Sequence, residues 1–133
     1  LGSPEEVVEF RDTWVKRAER LFGDLALPAH PAPANDPFFG RGGRFLAKNQ
    51  LEQGLKLELV MPIVSEQSLT PVMSFNYHQD HFGRAFDILM ADGTRAHRAC
   101  GGFGLERIAL GLFKTHGFAI EQWPAGVVRK LWS

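Results

Sequence analysis

The chain has 133 residues, 44% hydrophobic and 23% charged, and its 15 basic side chains balance 15 acidic ones. That is enough chain for a single core of ordinary globular composition, with no basic excess for gripping a nucleic-acid backbone. No run of about 18 apolar residues offers a membrane span, LGSPEEVVEF lacks the basic-then-apolar order of a signal peptide, and one cysteine excludes an internal disulfide framework and suits a reducing, cytoplasmic setting.

A helix is predicted first. Ser3, Pro4 and Glu6 read as N-cap, first helical residue and capping-box partner. Apolar residues then recur at helical spacing at Val7, Trp14, Ala18, Leu21, Phe22 and Leu25, with Gly23 and Pro28 closing the helix. Acids (Glu5, Glu6, Glu9, Asp12) precede bases (Lys16, Arg17, Arg20), an order that complements the helix dipole. Residues 28 to 43 are rich in proline and glycine and favour loop or short extended pieces. RFLAKNQLEQG suits a short helix stopped by Gly54. Leu55–Ile63 and Thr70–Tyr77 read as strands, and Arg84–Met90 with Arg95–Gly101 as a hairpin around Ala91–Thr94. GLERIALGLFKTHG gives a helix with Leu105, Ile108, Ala109 and Leu112 on one face and Gly117 as its stop, and Pro124–Trp132 gives a last short helix. Strands grouped between helices predict an α+β fold, an antiparallel sheet flanked by helices.

Ala96–Thr115 is the most informative segment. A strand runs into Gly101, Gly102 and Gly104, then directly into a helix whose first turn holds Glu106 and Arg107. Glycines allow close approach of a ligand, and an arginine there suits phosphate oxygens. The plainer alternative is a tightly packed turn with a surface Arg–Glu pair. Cys100 before those glycines is, as a lone cysteine, more often a small buried hydrophobe than a ligand. His78, His81, His97 and Cys100 offer an H-x-x-H plus H-x-x-C set, but residues three apart on a strand face opposite ways, against one self-contained zinc site. In SFNYHQDHFGR, Asn76, His78 and Asp80 share one face of an extended chain, a row that suits either a small polar substrate or plain solvent.

Three segments in this order resemble the second half of a class II aminoacyl-tRNA synthetase catalytic domain. LKLELVMP, with Glu58 and Pro62, is similar to a seryl-enzyme strand; SFNYHQDHFGR, with Asn76 and Arg84, is similar to the next; AHRACGGFGLERIALGLF resembles motif 3. The phrases ANDPFFGR, SFNYHQDHFG, CGGFGLERIAL and the closing HGF, WP, VR and LW extend the resemblance toward amino acid:[carrier protein] ligases. That family is related to atypical zinc-dependent seryl-tRNA synthetases and lacks a tRNA-binding domain.

The resemblance implies a partial class II catalytic core: residues 1–133 as the C-terminal part of the domain, after motif 2 and including motif 3. It implies ATP-dependent activation, with Mg2+, of a small amino acid (glycine, alanine or serine) and transfer to the phosphopantetheine thiol of an acyl or peptidyl carrier protein. Arg107 is then the catalytic, ATP-binding arginine, with Lys56 and Glu58 toward the nucleotide. Ser74, Phe75 and Asn76 line the substrate, and Cys100 is one Zn2+ ligand whose partners lie upstream. Arg41, Arg44 and Lys48, within Pro37–Gln53, are the candidates for docking an acidic carrier, with the first helix as the other candidate. The parent is expected to be a homodimer with no membrane attachment and no tRNA. Neither motif 1 nor the motif 2 arginine is visible, and Thr70 stands about where seryl enzymes carry a metal-binding glutamate, so the chain alone is expected to be inactive. A seryl- or threonyl-type synthetase and a non-catalytic paralogue that binds a partner are the alternatives.

Overall fold

The computed structural model describes residues 1–34 and 54–132. The expected helix in RFLAKNQLEQG and the basic residues Arg41, Arg44 and Lys48 lie outside that set. Helix α1 spans Pro4–Asp24, and its capping box is formed: Glu6 N–H donates to Ser3 Oγ (3.2 Å) while Ser3 N–H donates to Glu6 Oε2 (2.8 Å). Its buried face is Val7, Val15, Ala18 and Phe22, so Val15 takes a central place that the apolar spacing left unassigned, and Trp14 and Leu21 pack at the margin.

The C-terminal end of α1 is closed by Ala26, where a glycine was expected. With Ala26 at φ 51, its N–H donates to the Gly23 carbonyl (2.9 Å) and Leu27 N–H to the Phe22 carbonyl (2.9 Å). This is the Schellman pairing, and it is completed by burial of both Leu27 and Phe22. No base falls in the last turn. Asp24 is answered from across the fold by Lys130, at 2.8 Å.

Among the described residues, strands β1 (His30–Pro33), β2 (Lys56–Ser65), β3 (Ser68–Tyr77) and β4 (Ala99–Phe103) form one antiparallel sheet in the order β1-β2-β3-β4. Strand β1 carries Pro31 and Pro33, which an edge position tolerates because one side of the strand makes no ladder bonds. Helices α3 (Leu105–His116) and α4 (Ala125–Trp132), joined by a 3₁₀ turn at Ile120–Gln122, complete the order. Helix α1 packs on β3 and β4, and α3 on β2 and β3. One apolar core joins Phe22, Leu59, Met61, Met73, Phe75, Leu112 and Trp123. Ile108 and Leu112 of α3 face this core, whereas Leu105, assigned to the same face from its spacing, is 69% exposed. Gly117, at φ 84, stops α3 as expected.

The predicted hairpin is corrected at both arms. Arg84 falls in a short helix, α2 (His81–Ala85), and pairing around the turn is confined to an isolated bridge between Leu89 and Arg95. The turn itself forms, with Met90 N–H donating to the Thr94 carbonyl (2.8 Å) and Asp92 accepting from the Thr94 N–H (2.9 Å). What displaces the first arm is α2, held where Gly83 meets Ala96. A Cβ on Gly83 would lie 2.3 Å from the Ala96 carbonyl oxygen, so only glycine permits this approach.

The row of Asn76, His78 and Asp80 does not form either, because β3 ends at Tyr77 and Gln79 turns to φ 52. Instead His78 packs edge-on to Phe82 (centroids 5.1 Å apart), and the Arg98 guanidinium lies 4.5 Å from the Phe82 centroid. Burial, then the charges of Arg98 and His81, push the His78 pKa from 6.5 down to about 4.

Two outcomes follow from this packing. Gly83→Ala should cost about 1–3 kcal/mol by forcing backbone apart, whereas Gly23→Ala, with no described atom within 4 Å of the added Cβ, should gain up to about 1 kcal/mol of helix propensity. Urea unfolding of the two variants checks both signs. For His78 the folded state resists a proton that the unfolded chain accepts near pH 6.5, so this residue removes stability as pH falls from 6.5 toward 4 and adds no further loss below. Melting temperatures of His78→Asn across that range should fall less steeply than those of the parent chain.

Candidate active site

Between Lys56 and Leu59 the register is regular: Lys56 lies opposite Asn76, Leu57 opposite Phe75, Glu58 opposite Ser74 and Leu59 opposite Met73. On the other side of β3, Asn76 pairs with Cys100, Phe75 with Gly101 and Ser74 with Gly102. Side chains alternate along a strand, so Lys56, Glu58, Ser74, Asn76, Cys100 and Gly102 share one face. Leu57, Leu59, Met73 and Phe75 occupy the other, which the helices cover. Beyond Leu59 the register shifts: Leu59 opposes Met73 but Val60 opposes Pro71, leaving Val72 as an extra residue. Both Val72 and Met73 enter the core.

On the polar face lies a cleft of about 360 Å³, lined by Lys56, Glu58 and Ser74 from the strands and by Gly102, Gly104 and Arg107 from the strand-to-helix turn, with Pro71, Val72, Met73 and Phe103 between. It brings together the three residues expected at the nucleotide, Lys56, Glu58 and Arg107, and one of the three expected at the substrate, Ser74. Lys56 Nζ stands 3.2 Å from Glu58 Oε1, their side chains 10% and 17% exposed. A charge pair this far out of water is held by geometry, since a lone charge there would lose its hydration. Arg107 is exposed and donates to the Pro71 carbonyl (2.8 Å). That bond fixes the side chain across the cleft and leaves most of the guanidinium's donors for another acceptor. The anchor was illegible in the sequence, because a backbone carbonyl carries no residue-type signal.

Asn76 and Cys100 continue the same face outside the cleft lining. Asn76 Nδ2 sits 3.5 Å from Ser74 Oγ and 3.6 Å from Cys100 Sγ. Its Oδ1 is buried and, among the described residues, has no hydrogen-bond partner. Buried acceptors normally find a donor, so this oxygen is suited to a ligand N–H. Phe75 is corrected: at 2% exposed it is a core residue on the helix side of the sheet, not a wall of the site.

Among the described residues no three His, Cys, Asp or Glu side chains gather where they could hold a metal ion. His78 turns to Phe82 and Arg98, and His97 accepts or donates at 2.6 Å with the Tyr77 hydroxyl. Cys100 by itself does not make a zinc site. No helix among the described residues is long and apolar enough to cross a membrane.

No protein-family model matches the chain. Over 127 residues it is 45% identical to amino acid--[acyl-carrier-protein] ligase 1 of Bradyrhizobium diazoefficiens, a match that takes in 96% of the chain and 39% of that ligase. It is 28% identical over 139 residues to the type-2 serine--tRNA ligase of Methanopyrus kandleri, covering 98% of the chain and 26% of the relative. Among solved structures, M. kandleri SerRS in complex with A. aeolicus tRNASec matches with a TM-score of 0.79 and 25% identity, over 98% of the chain and 26% of that protein. The chain thus spans 39% of the length of the first relative and 26% of the other two. In sequence and in fold the chain is class II synthetase-like, similar in sequence to part of both amino acid--[acyl-carrier-protein] ligases and type-2 serine--tRNA ligases.

Proposed function

We propose that the chain is the C-terminal part of a class II catalytic domain, following motif 2 and including motif 3. In this reading the whole enzyme activates glycine, alanine or serine with ATP and Mg2+ and passes the acyl group to a carrier protein. The observation that carries the proposal is the shared cleft of Lys56, Glu58, Ser74 and Arg107. The substrate carboxylate brings its own nucleophile: one of its oxygens attacks the α-phosphorus, the P–O bond to pyrophosphate breaks, and an aminoacyl-adenylate results. The phosphopantetheine thiol, losing its proton, then attacks the acyl carbon and AMP leaves. No protein nucleophile is needed, so these residues position and neutralise. Arg107 meets the phosphate oxygens, Lys56 with Glu58 orients the nucleotide, and Asn76 Oδ1 accepts from the substrate amino group.

Zinc is proposed only for the longer protein, with Cys100 as one ligand and the others outside this chain; no step is routed through it. Arg41, Arg44 and Lys48 are proposed to meet an acidic carrier. The zero net charge and the 45% identity to a carrier-protein ligase favour a carrier over tRNA. The likeness to a synthetase solved with tRNA supports the second reading, a seryl-type tRNA ligase. A cytoplasmic homodimeric parent completes the proposal.

The test is pyrophosphate exchange by the full-length natural gene product, scanned over small amino acids. Exchange with one of them is expected, together with charging of a carrier protein and none of tRNA. Arg107→Ala should lower kcat/KM by about 10²–10³-fold, the usual cost of removing one preorganised charge-stabilising donor. Arg107→Lys should recover little, because an ammonium cannot reproduce the forked contact. Cys100→Ser should lower the zinc bound per chain, read by elemental analysis, and the 133-residue chain alone should show no exchange. A folded full-length protein inert toward every amino acid would overturn the proposal in favour of a binding-only paralogue.

A further inference from the structure

Of the six positions named on the polar face of the sheet, Gly102 is the one without a side chain, and among the described residues a single movable hydroxyl, Ser74 Oγ, opposes one. Its φ lies outside the left-handed region that favours glycine. A Cβ there would lie 3.1 Å from Ser74 Oγ and, among the described residues, would meet no other atom within 4 Å. The contrast with its neighbours is sharp. At Gly104 an added Cβ would lie 3.1 Å from the Val72 carbonyl oxygen, a backbone atom that cannot move aside; at Gly101 it would make ordinary contact, 3.7 Å, with the buried Phe75 ring. Gly104 is therefore explained by packing, and Gly101, itself exposed, lies on the side of the sheet that Phe75 occupies. What a side chain at 102 would occupy is the cleft itself, beside the hydroxyl of its register partner Ser74.

We infer that Gly102 determines specificity by size, keeping open the floor beside Ser74 on which the amino-acid end of the substrate rests. The inference rests on the activation chemistry proposed above and adds to it the residue that limits the substrate. Gly102 lies between the two ends of the site: Cys100 and Asn76 continue the face on one side, and Gly104 leads to Arg107 on the other. A methyl group at 102 would project from the sheet where the acyl carbon and any side chain it bears must sit, while the nucleotide end, held from Arg107 and Lys56, would keep its contacts.

The experiment is amino-acid-dependent pyrophosphate exchange by the full-length natural gene product, comparing Gly102→Ala with the unsubstituted protein. For the largest amino acid that the unsubstituted protein activates, Gly102→Ala should lose about tenfold in kcat/KM, chiefly through KM, while the KM for ATP stays within about twofold. Gly101→Ala should leave the ratio of the two KM values unchanged. Because Gly102→Ala could act only by displacing the Ser74 hydroxyl, the pair Ser74→Ala and Ser74→Ala/Gly102→Ala removes that contact. The loss should persist between these two, and it also provides the comparison should Gly102→Ala alone fail to fold. An unchanged amino-acid KM, an equal rise in both KM values, or a loss that vanishes in the Ser74→Ala background would overturn the inference and leave the activation chemistry standing. Absence of exchange by the unsubstituted protein would overturn both.

Discussion

Everything in the site depends on the register of β2, β3 and β4. Because side chains alternate with a period of two, a slip by one residue would send Lys56, Glu58, Ser74 and Asn76 under the helices and bring Leu57, Leu59 and Phe75 to the cleft. The hydrophobic cost forbids it: Leu59 and Phe75 are essentially sealed from water, and each such side chain contributes about 1.5–3 kcal/mol on burial. The core therefore acts on the site at a distance of one strand thickness. By covering one face of the sheet, helices α1 and α3 dictate which residues stand on the other.

The register shift at Val72 limits how far that regularity extends. Up to Leu59 the sheet separates a polar from an apolar face; beyond it, Val72 and Met73 both enter the core and the strand pair bends. The bend exposes the Pro71 carbonyl to Arg107 and the Val72 carbonyl to the Gly104 N–H, both at 2.8 Å. The turn that ends β4 and begins α3 is thus tied to the middle of β3 at two consecutive carbonyls. An arginine on the first turn of a helix would otherwise sweep a wide arc through water. Here its reach is narrowed by backbone on a neighbouring strand.

Much of this was legible in the sequence, for physical reasons that differ from element to element. The capping box of α1, the strand runs around Leu59 and Phe75 and the Gly117 stop each rest on local chemistry, and each formed where the residues said. The class II resemblance rested on three segments in order, and the relatives bear it out. What failed was non-local. Nothing near Ala26 announces a left-handed residue, because the stabilisation comes from Leu27 and Phe22 meeting in the core. The hairpin arm at Arg84 gave way to α2 because of one contact, Gly83 on Ala96, between residues thirteen apart. The resemblance put Phe75 beside the substrate as a neighbour of Asn76, although the alternation that puts Ser74 and Asn76 on the polar face must turn Phe75 away. The site residues Lys56, Glu58, Ser74 and Arg107 do meet in one cleft; the roles assigned to them remain the proposal's.

Under the proposed reading, the same geometry gives a physical reason for the inactivity expected of the chain alone. Arg107 is exposed at the edge of the cleft. A guanidinium–phosphate contact at about 4 Å gains on the order of 1 kcal/mol in bulk water but several times more where the effective dielectric falls to about 20. Adenylate formation concentrates charge on one phosphorus, so a cation contributes to rate only when it is stronger for that transition state than water would be. Lys56 and Glu58, with side chains 10% and 17% exposed, already sit in such surroundings, and Arg107 does not. Under the proposed reading, whatever closes over the polar face in the longer protein supplies more than additional ligating groups. By excluding water it changes what Arg107 is worth, and so converts a positioned side chain into a catalytic one.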